Sequence, residues 1–226
     1  MKYLFYLIIL FSISFVHFAA FAQEEIEVME EERILELSNI NAIQLLEGQK
    51  ENVALIQQVG NQNTASVLQS PSGLQSGNFA QILQNGNNNR SIINQLGSNL
   101  TVRSAQSGNN NSATINTSGD NINVTTNQTG NRNSINTNIE NSGFASRFVL
   151  LEQNGNNNQI NFDFLNSSIF SSGFFGESVR ISQTGNQQGI NLRLDETSSP
   201  VEITQRPGAG GQGMQVNITT SAFPVR

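Results

Sequence analysis

Apolar residues recur at every second position through most of the chain, in short runs separated by Gly and Asn. The fourth and second positions before a recurring Gln read Ala54 and Ile56, Ala80 and Ile82, Val102 and Ser104, Val124 and Thr126, Val149 and Leu151, Val179 and Ile181, Val201 and Ile203. Beyond each Gly the alternation resumes as Ala65-Val67, Ser91-Ile93, Ala113-Ile115, Ile135-Thr137, Ile160-Phe162 and Ile190-Leu192. A two-residue period rich in β-branched side chains predicts strands with one face turned inward. Arg103, Arg180 and Glu202 all fall at the outward phase. The Gly, with Asn-rich neighbours such as Asn87-Asn88, predicts a turn that tolerates positive φ.

The strands belong to a longer repeat. A signature Gln-x-Gly-x-x-Asn appears as Gln58-Gly60-Asn63, Gln84-Gly86-Asn89, Gln106-Gly108-Asn111, Gln128-Gly130-Asn133 and Gln153-Gly155-Asn158. Gln183-Gly185-Gln188 is a variant, and Gln205 opens a degraded seventh copy through Pro207-Gly208. Successive anchor Gln residues lie 26, 22, 22, 25, 30 and 22 positions apart, a 22-residue unit with short insertions. One strand-turn-strand unit cannot bury its apolar face alone, whereas stacked units can. The expected fold is therefore all-β: a parallel two-sheet β-solenoid of about seven rungs over residues 52–220, without helix beyond Asn52. The small apolar positions suit a thin core. Carboxamides at the inward phase would be costly if buried singly, but in register each can donate to one copy and accept from the other. Gln69 and Gln95 extend that expectation to the second arm.

Composition narrows the function. There are 33 Asn and 21 Gln among 226 residues, about 24%, while charged residues make up 12%. The chain has no Cys, and its one His, His17, falls in the N-terminal segment. Disulfides and thiolate chemistry are excluded, little remains for a metal or a triad, and an enzyme is not expected. No cofactor and no metal are expected either. Residues 1–22 read as a secretory signal: Lys2, an apolar run from Leu4 to Phe15, then Ala20-Phe21-Ala22 with cleavage before Gln23. An uncleaved membrane anchor is the competing reading, and the small-x-small ending favours removal. Residues 23–51 form an acidic leader, with nine Glu against Arg33 and Lys50, extended or forming a short amphipathic helix around Ile34, Leu35, Leu37 and Ile40. From Val53 onward acidic and basic residues balance, so no basic patch points to nucleic acid. Residues 221–226 form a short tail.

The pattern Gln-x-Gly-x-x-Asn-x-Ala-x-x-x-Gln resembles the curlin repeat of bacterial curli fibre subunits. Gln58, Gly60, Asn63, Ala65 and Gln69 match it in full, and Gln84, Gly86, Asn89 and Gln95 match with Ser91 for Ala. The third unit keeps Gln106, Gly108, Asn111 and Ala113, with Thr117 replacing the last Gln. Ile139, Phe164 and Leu194 stand there in the fourth to sixth units. The resemblance covers roughly residues 52–220. It implies export through a dedicated outer-membrane channel and assembly, with itself and with other curli-like subunits, into extracellular amyloid that supports adhesion and biofilm. Departures towards the C-terminus leave both the major and the nucleating minor subunit open, and a channel-recognition role for the leader is implied by resemblance only.

Remaining motifs carry less. The sequons at Asn99, Asn116, Asn123, Asn127 and Asn217 follow from the Asn content, and Gly208 to Gly213 is a flexible turn rather than a phosphate loop. Asp163, Asp195 and Glu196 lack the paired spacing of an acid/base set, and Phe162, Phe164, Phe170, Phe174 and Phe175 read as core filling. Two function classes follow: a secreted, self-assembling structural subunit at the cell surface, or a monomeric solenoid adhesin or ligand binder with capped ends. The outward positions Leu55, Gln81, Arg103, Thr125, Leu150, Arg180 and Glu202 form no uniform ligand stripe, which favours the first.

Overall fold

A computed structural model describes residues 52–71, 77–141, 146–166, 177–194, 201–207, 211 and 213–220. The signal segment, the acidic leader, Pro200, Phe170, Phe174, Phe175, Asp195, Glu196 and the C-terminal tail lie outside these. All regular elements among the described residues are strands. In chain order they are β1 Val53–Val59, β2 Thr64–Ser70, β3 Phe79–Asn85, β4 Arg90–Ser98, β5 Thr101–Ser107, β6 Ser112–Asp120 and β7 Ile122–Asn131. There follow β8 Ser134–Asn141, β9 Arg147–Asn156, β10 Gln159–Asn166, β11 Glu177–Thr184, β12 Gly189–Leu194, β13 Val201–Gln205 and β14 Gln215–Thr220.

The odd strands form one seven-stranded sheet and the even strands another, each in sequence order and parallel throughout. Each rung thus contributes one strand to each sheet, giving the expected parallel two-sheet solenoid. The register is the one the repeat demands: Gln58, Gln84, Gln106, Gln128, Gln153, Gln183 and Gln205 stand opposite one another along the first sheet. Alternation then places every inward residue of one rung over its counterpart in the next. Ile82, Val102, Val124, Leu151 and Ile181 from the first sheet meet Ile93, Ile115, Ile135, Ile160 and Leu192 from the second in one apolar core. Ala80 and Ala113 are the small members of this core, and most of the rest are Ile, Leu or Val rather than the small residues expected. Phe162 joins them at 2% exposure, as core filling requires.

Glycine is compulsory at the turn. Gly108 has φ +113, and a Cβ there would sit 2.0 Å from the carbonyl oxygen of Gly130 in the next rung. The second left-handed position lies two residues further on, at Gln62, Asn88, Asn110, Arg132, Asn157 and Gln187, with φ of 55–59°. Asn87 is therefore not the positive-φ residue, which leaves its side chain available for another task. Gly86, Gly97, Gly108, Gly119 and Gly130 stand 11 residues apart, half of the repeat, and the intermediate pair has a structural meaning. Gly97 and Gly119, followed by Asn99 and Asn121 at φ 57, repeat the same turn where one rung passes to the next.

Candidate assembly surface

The core carboxamides are the candidate functional residues. Gln58 donates its Nε2–H to Gln84 Oε1 at 2.6 Å. The bond recurs from Gln84 to Gln106, Gln106 to Gln128, Gln128 to Gln153, Gln153 to Gln183 and Gln183 to Gln205, at 2.7–2.9 Å. From Gln84 to Gln183 each Nε2 also donates to a carbonyl across the core, at the start of the preceding rung's second strand: Gln106 to Arg90 O at 3.0 Å, Gln128 to Ser112 O at 3.0 Å. These amides are 1–3% exposed. A buried carboxamide is tolerated because both of its ends are satisfied. On the second sheet the column is short: Gln69 donates to Gln95 Oε1 at 2.8 Å, and Thr117 and Ile139 take the position above.

The signature Asn residues work differently from the expected amide-to-amide ladder. Asn63, Asn89, Asn111, Asn133 and Asn158 each donate Nδ2–H to the turn Gly carbonyl of the next rung, at 2.7–2.8 Å: Gly86, Gly108, Gly130, Gly155 and Gly185 respectively. Each Oδ1 in turn accepts a backbone N–H from the next rung, as Asn89 Oδ1 does from Asn111. They are clamps from side chain to backbone. The Gly column thus serves twice, for φ and for its carbonyl.

A second ladder escaped the sequence reading. Asn61, Asn87, Asn109, Asn131, Asn156 and Asn186 follow the turn Gly directly, and each backbone N–H donates to the Oδ1 of the next at 2.9–3.0 Å. Asn immediately after Gly in six consecutive copies is the signal for it in the sequence.

The two ends of the stack differ. Among the described residues β1 and β2 have one sheet neighbour each, so the first rung is an open edge of the described stack. It carries no charged residue from Asn52 to Gln69. Ile56 is 49% exposed where its column-mate Ile82 is fully buried, and no described residue donates to Gln58 Oε1. The last rung keeps Gln205 in the Gln column but is altered at the Gly and Asn positions of the signature. Pro207 packs against Gly185 in place of the turn Gly, and Met214 takes the Asn position, accepting from Gly189 N–H at 2.8 Å. Gln205 Nε2 keeps the bond to the start of the preceding rung's second strand, Gly189 O at 3.1 Å, and adds one to Met214 O at 3.2 Å. Gln188, one methylene longer than Asn, keeps the acceptor role towards Met214 N–H, but its buried Nε2 finds no partner among the described residues.

Of the remaining candidates, Asp163 lies 3.8 Å from Arg193 Nε as an exposed ion pair rather than an acid/base group. Arg103 lies over the Phe79 ring at 5.5 Å, and burial pushes its pKa below the ordinary value. Among the described residues no three His, Cys, Asp or Glu side chains converge as metal ligands would. Comparison with protein-family models, curated proteins and solved structures finds no match to this chain.

Proposed function

We propose that the protein is a secreted structural subunit that self-assembles end to end into extracellular curli-like amyloid fibres supporting adhesion and biofilm. The observation that carries this is the first rung: among the described residues it is an open, uncharged edge with Ile56 half exposed and no donor to the Gln58 acceptor. Docking another rung there extends both sheets and covers apolar surface. Burying the exposed half of Ile56 alone stabilises by about 1 kcal/mol. Partners of this kind are further copies, other subunits bearing the same signature and, through the resemblance, an outer-membrane secretion channel.

The second reading, a monomeric adhesin with a capped end, draws on Pro207 and Met214 at the last rung. Thioflavin fluorescence and electron microscopy of the exported chain separate the two. Dye-positive fibres are expected, with a longer lag for the Gln58→Ala/Gln69→Ala double variant and a smaller effect of Gln205→Ala. Wild-type protein that stays monomeric for days at micromolar concentration would refute the fibre reading and favour the adhesin.

A further inference from the structure

The open edge of the first rung specifies what would cover it. An internal rung gives its follower a Gln Nε2–H, an Asn Nδ2–H aimed at the turn carbonyl, and a backbone N–H to the exposed Asn. It also gives an Asn Oδ1 that accepts the follower's Asn N–H. The matching atoms of the first rung are Gln58 Oε1, Gly60 O, Asn61 Oδ1 and Asn63 N–H, and no described residue partners them from the preceding side. Ile56 and Val59 are 49% and 55% exposed beside them. One 22-residue repeat upstream, the sequence holds residues for these positions. Ile34 falls on the column of Ile56, Asn39 on Asn61 and Asn41 on Asn63, while Ile43 and Leu45 fall on Ala65 and Val67. The spacing is uninterrupted: Glu47 precedes Gln58 by 11 positions, as Gln95 precedes Gln106. At the two Gln columns the chemistry changes, with Glu36 and Glu47 standing for Gln58 and Gln69.

We infer that residues 33–47 dock on the first rung as a degenerate rung, a releasable cap over the edge on which the proposed assembly builds. Asn39 and Asn41 bring the backbone N–H, the amide donor and the acceptor that this edge lacks, and Ile34, Ile43 and Leu45 cover its apolar side. The cap is weaker than an internal rung. Ser38 takes the place of the turn Gly, although a Cβ on Gly60 would lie 2.0 Å from Gly86 O, and Ile40 takes that of Gln62 at φ 56. The first position admits a Cβ only with a local shift, and the second disfavours a β-branched residue. Glu36 and Glu47 make the cap conditional on pH. Side-chain donors of the Gln columns point to the following rung, so each Glu faces an acceptor oxygen, Gln58 Oε1 or Gln69 Oε1. A protonated carboxyl can donate there and a carboxylate cannot. No cation offsets the charge: Asn52 to Gln69 is uncharged, Arg33 falls at the outward phase, Lys50 in the linking stretch and Arg90 at the exposed start of β4. Glu32, on the column of Ala54, adds a like charge. Docking therefore favours the protonated carboxyls. Its stabilisation is full below the undocked pKa of about 4.3 and is lost as pH rises through the higher docked value. The cap closes in acid and opens towards neutral pH.

The chain has no Cys, so an engineered pair of thiols reports docking alone. Leu37→Cys/Val59→Cys places them on adjacent parallel rungs, about 4.8 Å apart at Cα and within disulfide reach. Leu35→Cys/Val59→Cys, two positions out of register, separates them by more than about 7 Å and is the control. The disulfide content of the full-length chain, kept monomeric by low concentration, is measured at equilibrium with a glutathione buffer at about pH 5.5 and about pH 7.5. At the lower pH the in-register pair is expected to exceed the control at least tenfold, and at the higher pH to fall several-fold. Adding Glu36→Gln/Glu47→Gln, which restores both donors, should hold the disulfide at neutral pH. Equal content in the two pairs, no response to the Gln substitutions, or a disulfide formed only between copies would overturn the inference. The consequence for assembly rests on the fibre reading: Glu36→Gln/Glu47→Gln should lengthen the thioflavin lag at neutral pH. The disulfide needs no fibre, so failure of the cap and failure of the fibre reading are told apart.

Discussion

Gln106→Ala tests whether the Gln column supports the stack or merely decorates it. Gln106 is 3% exposed, accepts from Gln84 Nε2 at 2.8 Å, and donates to Gln128 Oε1 at 2.7 Å and Arg90 O at 3.0 Å. Truncation leaves the Gln128 oxygen without its donor and removes one of two partners from the Gln84 amide, which keeps Thr64 O at 3.1 Å. One buried oxygen orphaned and one amide hydrogen left unpaired, at about 1–3 kcal/mol each, with a cavity added, give a loss of about 3–6 kcal/mol. Gln58 is exposed and makes one such bond, so Gln58→Ala should cost only about 1 kcal/mol. Gln106→Leu restores volume without donors and should recover less than half of the loss, which separates the cavity from the hydrogen bonds. Urea unfolding followed by far-UV circular dichroism, on monomeric protein, reads these differences as midpoints and slopes. Slopes matter because stacked repeats can unfold in sections. If Gln106→Ala and Gln58→Ala fall within about 0.5 kcal/mol of each other, the satisfied-ladder account of the buried amides is wrong.

Three further outcomes are expected. Gly108→Ala, forced to φ +113 with its Cβ against Gly130 O, should cost about 3–5 kcal/mol in the same unfolding assay. Arg180→Ala should change stability by less than about 0.5 kcal/mol, since its 3.4 Å pair with Glu152 is largely solvated. N-terminal sequencing of exported protein should begin at Gln23, whereas a chain starting at Met1 in the membrane fraction would contradict cleavage.

The register was legible because period and identity coincide. A one-residue slip would turn Ile82 outward and break the Gln84 bonds on both sides, so alternation and the recurring Gln specify the same alignment. The unequal spacings did not disturb it: the 30-position step from Gln153 to Gln183 leaves the pairs Val149–Val179 and Gln153–Gln183 in place, so the added length falls between paired segments. The Asn roles were less legible. Asn87, Asn88 and Asn89 are adjacent and chemically identical, yet one forms an exposed ladder, one adopts φ 57 and one clamps the next Gly carbonyl. Only backbone geometry separates them, and composition carries no direction. The core polar pair Ser91–Ser104, joined at 2.8 Å between the two sheets, was visible as interruptions of the apolar columns but not as a contact.

Direction is what the ladders add to the repeat. The Gln-to-Gln bonds, the Asn-to-Gly clamps and the bonds of the exposed Asn row all run from side-chain N–H towards the C-terminal rung. The first rung is consequently left with acceptors, Gln58 Oε1 and the Gly60 carbonyl, that a preceding rung would fill with a Gln and an Asn amide. The chain's own last rung supplies Gln205 in the right column, but its Nε2 is engaged with Gly189 and Met214, and Met214 brings no amide at all. A junction between two copies would therefore lack the Asn clamp and hold its Gln bond only in competition with the Met214 carbonyl. Under the fibre reading, each boundary between chains is weaker than any contact between internal rungs, so mechanical shearing should break fibres into whole subunits. By the same logic, a different chain ending in an intact Gln-x-Gly-x-x-Asn rung would fit the first rung better than a second copy does.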